Sequence, residues 1–154
     1  MTGDGTTRQV HGTAVAVDGR GVLLRGPSGS GKSDLALRLI DGGARLVADD
    51  RTDLVRAGGS VLMRAPAAIA GVLEVRGVGL VRIGAADGAP LCLVVDLVAP
   101  DHVPRLPPQR FCEYLDLRVP RLSLTPFEAS AAAKVRVALR LHGGEIEGWD
   151  RADP

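Results

Sequence analysis

The chain has 154 residues, a formal net charge of +1, 45% apolar residues and 24% charged residues. Such a length suits a single domain with a hydrophobic core, and the near-neutral balance offers no global field for nucleic acid or an anionic membrane. Aromatic residues are only 3% of the chain, which argues against base-stacking platforms. The apolar run "LCLVVDLVA" is too short to span a bilayer and contains Asp96. The opening "MTGDGTTRQV" has no apolar stretch of a signal peptide. Cys92 and Cys112 lack metal-ligand spacing and are expected to be free thiols. A cytoplasmic location, with no membrane and no nucleic-acid partner, is the expectation.

In chain order, "VHGTAVAV" (Val10–Val17) alternates and predicts a strand, followed by a turn at "DGRG" and a second strand, "VLLR", ending at Arg25. "KSDLALRLIDGG" predicts a helix with Leu35, Leu39 and Ile40 on one face and Gly42-Gly43 as its stop. "RLVADD" (Arg45–Asp50) is expected to be a buried strand ending in two carboxylates. "TDLVRAGGSVLMRA" predicts a hairpin turning at Gly58-Gly59, and "GVLEVRGVGLVRIG" a glycine-punctuated mixture of strand and loop. "PLCLVVDLVA" (Pro90–Ala99) is a strong strand, the four-proline stretch Pro100–Pro108 an ordered loop, and "LRVPRLSL" extended. Thr125 as N-cap, Pro126 at the first helical position and Glu128 completing a capping box announce a last helix running to Gly143. The tail "EIEGWDRADP" is expected to be loose. These elements predict one α/β domain over residues 1–154, with its core at about 10–143.

The chemistry begins at "GPSGSGKS", where Gly26, Pro27, Ser28, Gly29, Ser30, Gly31, Lys32 and Ser33 form a GxxxxGKS phosphate loop between a strand and a helix. Its glycines let successive N–H groups turn inward onto phosphate oxygens, at a helix N-terminus that favours anions. Lys32 would reach the outer phosphates, and the Ser33 hydroxyl is placed for Mg²⁺. Asp49 and Asp50 close the next strand, where ligand crevices of open α/β sheets lie. Adjacent strand residues point to opposite sides, so one carboxylate would face the metal and the other an acceptor hydroxyl.

"HG" at His11-Gly12, "GPSGSGKSDLAL", "RLVADD" and "LEVRGVGLV" (Leu73–Val81) occur in an order and spacing that resembles the catalytic domain of the HPr kinase/phosphorylases. These bacterial enzymes phosphorylate a serine of the phosphocarrier HPr. The resemblance extends over roughly Val10 to Leu141 and implies a P-loop-type domain with a mixed sheet, related to phosphoenolpyruvate carboxykinases and assembled as a homo-hexamer. It implies ATP and Mg²⁺ as cofactors and an HPr-like protein as partner. Gly26–Ser33 would hold the nucleotide, with Ser33, Glu74 and Asp49 on the metal side and Lys32 on the transferred group. Asp50 would accept the seryl proton, Asp49 being the alternative, and His11 would orient the aspartate. The family's further arginine falls on Arg105 in "VPRLPP", or on Arg110.

Two departures accompany this. The chain is expected to be a short form without the N-terminal domain of longer relatives. The family's Gly-Arg-Asn before the last helix, a region linked to dephosphorylation, is replaced by "LSLTPFEAS", so weak phosphorylase activity is expected. A kinase or NTPase with a small-molecule acceptor, and a nucleotide-sensing regulator without catalysis, are the competing functions.

Overall fold

The computed structural model describes residues 7–148. In chain order they form strands β1 (Thr7–His11), β2 (Thr13–Val17) and β3 (Arg20–Arg25), helix α1 (Lys32–Asp41), and strands β4 (Arg45–Ala48), β5 (Arg51–Ala57) and β6 (Ser60–Arg64). Strands β7 (Val72–Val75), β8 (Gly79–Arg82), β9 (Ala89–Leu97), β10 (Arg110–Tyr114) and β11 (Leu117–Leu124) follow, then helix α2 (Ala131–His142). The main sheet runs β1-β5-β6-β9-β3-β2-β4, with β11 joined to β9 and β10 beyond it, and β7-β8 is a separate hairpin. The pairs β3/β9 and β9/β11 are parallel and the remaining pairs antiparallel. The architecture is α/β with a mixed sheet, as expected.

Strand alternation distributes the apolar side chains to two cores. Val22 and Leu24 of β3 face the helices, joining Leu35, Ala36 and Leu39 of α1 and Val135 and Leu139 of α2. Leu23 faces the other way, into a cluster with Ala14, Leu54, Met63, Val94 and Tyr114. Each fully buried Leu in these layers contributes about 1.5–3 kcal/mol. Helix α1 ends as predicted: the N–H of Gly42 reaches Arg38 O, and that of Gly43, at φ 112°, reaches Ile40 O. The hairpin at Gly58-Gly59 is also present, as β5 and β6.

Four sequence expectations are revised. The strand expected at Val10–Val17 is two strands with different partners, β1 on β5 and β2 on β3 and β4. Gly12 is the break: a Cβ there would lie 2.8 Å from Leu23 Cδ1 and 3.0 Å from Leu24 O. Its N–H donates to Asp50 O, and its carbonyl accepts from Thr52 Oγ1.

The two carboxylates do not end a strand. Strand β4 stops at Ala48, and Asp49-Asp50 form a tight turn in which Arg51 N–H donates to Asp49 O and Asp50 has φ 68°. Opposite-face alternation therefore does not apply to the pair.

The last helix begins at Ala131, with Ser130 preceding it, and there is no capping box at Thr125. Thr125 is buried, Pro126–Ser130 form turns, and Glu128 pairs with Lys134 at 2.6 Å. The physical reason is Arg38 of α1, whose guanidinium donates to the carbonyls of both Pro126 and Glu128. Finally, β10 occupies residues for which no element was expected. Its hairpin with β11 turns on Leu115 and Asp116, at φ 53° and 66°, without the glycine that usually announces such a turn.

Candidate active site around the glycine-rich loop

The loop between β3 and α1 takes the conformation its glycines permit. Gly29 has φ 82° and Gly31 φ 101°, both in the left-handed region. Helix α1 starts at Lys32, so its first N–H groups open onto the loop. The Lys32 ammonium is buried, donating to Gly26 O at 2.7 Å and Pro27 O at 3.1 Å. The Ser30 hydroxyl lies under the loop without a hydrogen-bond partner among the described residues.

One cavity of about 400 Å³ gathers most of the expected groups: Ser28, Gly29, Gly31, Lys32 and Ser33 from the loop, with Asp49, Asp50 and Glu74. Sheet order explains the meeting. Strands β4, β3, β9 and β11 point the same way, so the segments that follow β4, β3 and β11 emerge at one edge, with the loop in the middle. Asp49 is the organiser. Its Oδ1 accepts from Ser33 Oγ at 2.7 Å and from Thr13 Oγ1 at 3.0 Å, while its Oδ2 accepts from Glu74 N–H at 3.0 Å. Asp49 thereby ties the loop helix, β2 and β7 together at a position only 8% exposed. Asp50 is exposed, and its N–H donates to Thr13 Oγ1.

Ser33, Asp49 and Glu74 present oxygen donors only, the type that Mg²⁺ prefers. Among the described residues no cluster of three or more His, Cys, Asp or Glu side chains forms a self-sufficient metal cage. This donor set suits an ion that enters with phosphate and keeps part of its water shell, as Mg²⁺ does.

His11 and Arg105 are not brought into the cavity lining. His11 is exposed on β1, opposite Arg51 and next to the Gly12–Asp50 contact. Arg105 is exposed in the proline-rich segment after Leu97, and Arg110 opens β10 and faces a separate hollow with Arg121 and His142. The arginine that does line the cavity is Arg76, from the "LEVRG" stretch.

Two supporting groups went unassigned in the sequence. Thr13 links the two aspartates. Arg25, immediately before the loop, forms a two-pronged pair with Asp96, at 2.7 and 2.9 Å, and donates to the Tyr114 hydroxyl at 2.8 Å. The Asp96 hydrogen bonds hold the Arg25 guanidinium above even its ordinary high pKa. Asp96 is thus committed to the base of the loop. The only signal for it was a carboxylate inside an otherwise apolar strand.

The chain is similar to known proteins in both sequence and fold. A family model described as HPr Serine kinase C-terminal domain matches residues 5–103. The HPr kinase/phosphorylase of Clostridium beijerinckii is 45% identical over 75 residues, 49% of this chain and 25% of that protein. That of Clostridium tetani is 43% identical over 89 residues, 58% of this chain and 28% of that protein. The chain therefore spans only about a quarter of the length of the curated relatives it matches. The structure of the Hpr(Ser) kinase/phosphatase from Coxiella burnetii superimposes with a TM-score of 0.79 at 26% identity, covering 90% of this chain and 92% of that one. With well over half of its residues inside the family model and 90% of the chain covered by that superposition, the chain belongs to the HPr serine kinase C-terminal domain family.

Proposed function

We propose that this chain is an ATP-dependent protein-serine kinase whose acceptor is an HPr-like phosphocarrier. The observation that carries the reading is the Ser33–Asp49 hydrogen bond, which locks a GKS loop to a carboxylate turn in one cavity. Family membership and the names of the relatives support the acceptor class. The loop N–H groups and Lys32 would bind the phosphates, and Arg76 would add positive charge at the cavity wall. Ser33, Asp49 and Glu74 would hold Mg²⁺, which when bound supplies charge neutralisation to the phosphate oxygens.

Transfer joins the seryl oxygen to the terminal phosphorus as the bond to the bridging oxygen breaks. Asp50 takes the seryl proton in this scheme: it is exposed at the cavity, whereas the Asp49 oxygens are occupied by three donors. A carboxylate is a weak base towards an alcohol, so proton transfer is late and depends on position. His11, on β1 next to the Gly12–Asp50 contact, would orient Asp50. A role for Arg105 requires its segment to reach the cavity. Hexamer assembly and a cytoplasmic site of action are further parts of the proposal, the first checked by light scattering.

The test is incubation of the pure protein with ATP, Mg²⁺ and the host's HPr-like proteins, followed by mass spectrometry. Phosphoserine on the phosphocarrier is expected. Phosphate appearing only on a small molecule, or only as free phosphate, overturns the proposal.

A further inference from the structure

We propose that Phe127 is the platform on which the nucleotide base stacks; the inference rests on the nucleotide reading of the cavity. The chain has only two Phe, one Trp and one Tyr. One of those few rings stands 70% exposed on the rim of the phosphate cavity, beside Ser28, Gly29 and Leu37. A row of platforms for a nucleic-acid strand is ruled out by such a composition, but one mononucleotide needs only one ring.

The turn that carries the ring is fixed rather than loose. Arg38 donates to the carbonyls on either side of it, those of Pro126 and Glu128, and so fastens the turn to α1. Pro126 restricts the backbone just before it. The ring also rests on the loop itself: a Cβ placed on Gly31 would lie 3.0 Å from Phe127 Cζ and from Pro126 Cβ.

Sheet order then assigns the ring to the non-reacting end of the nucleotide. Phe127 follows β11, on the β9 side of the loop strand β3, whereas Asp49 and Asp50 follow β4, on the β2 side. A nucleotide with its phosphates in the loop and its terminal phosphate towards the carboxylates leaves its base on the Phe127 side. Leu37, one turn into α1, supplies a second apolar surface there. Stacking reads no hydrogen-bond edges, because every base has a π-face. The site should therefore tolerate adenine and guanine alike.

The experiment compares the affinity of Mg²⁺-ADP with that of Mg²⁺-tripolyphosphate, by calorimetry, for the wild type, Phe127→Ala and Phe127→Trp. In Phe127→Ala, ADP affinity should fall by roughly 5- to 150-fold, the worth of one base–aromatic stack. Tripolyphosphate affinity should be unchanged, and Phe127→Trp should restore ADP binding. The unchanged tripolyphosphate value also certifies that the variant is folded. If Phe127→Ala binds ADP as the wild type does, the platform is refuted, and a raised KM for the protein acceptor would then reassign the ring to acceptor contact. If the wild type binds neither ligand, the nucleotide reading of the cavity fails first.

Discussion

Replacing Asp49 by leucine removes the acceptor at the centre of the site while leaving its donors in place. Leucine is close in size, excludes water and accepts no hydrogen bond. Ser33 lies at the cavity and can turn its hydroxyl to solvent, but Thr13 is fully buried and the Glu74 N–H points inward at Asp49. Thr13 Oγ1 still accepts from Asp50 N–H, but its own O–H and the Glu74 N–H lose their acceptor. A buried donor left unsatisfied costs about 1–3 kcal/mol, so the two together cost about 4 kcal/mol. The added apolar side chain returns about 2 kcal/mol through its own burial. The net loss is about 2 kcal/mol, which in a chain of this size lowers Tm by about 4–8 °C. Asp49→Asn is the control. Its amide keeps an oxygen for Glu74 N–H and offers N–H groups to the two hydroxyl oxygens, leaving only the Thr13 O–H without an acceptor, so its cost should be about 1 kcal/mol. Urea unfolding followed by circular dichroism measures both, with an unchanged m-value as the condition for comparing midpoints. An Asp49→Leu protein that unfolds at the wild-type midpoint would refute the reasoning. Equal destabilisation by Asn and Leu would show that charge, not the acceptor, holds the three elements together.

Asp50→Asn should reduce phosphotransfer by about 10²–10⁴-fold while nucleotide affinity changes far less; if Asp49→Asn is the more damaging for transfer, the two aspartates have exchanged roles. Glu74→Ala should weaken Mg²⁺-dependent turnover without altering unfolding, since only its main-chain N–H is engaged with Asp49; unchanged turnover at saturating ATP makes the side chain a bystander. Phosphorolysis of phosphoserine-HPr by inorganic phosphate must crowd two anions, each pair of unit charges about 4 Å apart repelling by about 4 kcal/mol at an effective dielectric of 20. Here Glu128 is paired with Lys134 and no arginine occupies the turn before α2, so pyrophosphate release should be slow beside the kinase rate, and matched rates would overturn this. Burial pushes the Cys112 thiol up, so at pH 8 it should be alkylated more slowly than a free thiol, as followed by mass spectrometry; labelling at the free-thiol rate contradicts that burial.

The loop and its helix were legible because their determinants are local: glycines at fixed offsets and an apolar face on α1. What escaped depends on partners far along the chain. Thr125, Pro126 and Glu128 satisfy the local grammar of a capping box, yet Arg38, 88 and 90 residues away, takes the carbonyls and delays the helix. Gly12 looks like an ordinary strand glycine until Leu23 and Leu24 close over it. Arg76 was visible in "LEVRG" but carried no mark separating it from Arg105, and only the β7-β8 hairpin brings it to the cavity wall. Strand β10 lacked a turn signal, since its hairpin bends on two non-glycine residues.

The grip of Arg38 on the 126–128 turn has an evolutionary consequence. The guanidinium holds main-chain oxygens, which every amino acid possesses, and ignores the side chains between them. Substitutions at positions 127 and 128 can therefore accumulate without dislodging the turn from its helix. The segment behaves as an exchangeable cassette, whose side chains can change while the scaffold beneath stays the same. Of these positions, 127 lies on the cavity wall, so a change there alters the cavity and not the scaffold.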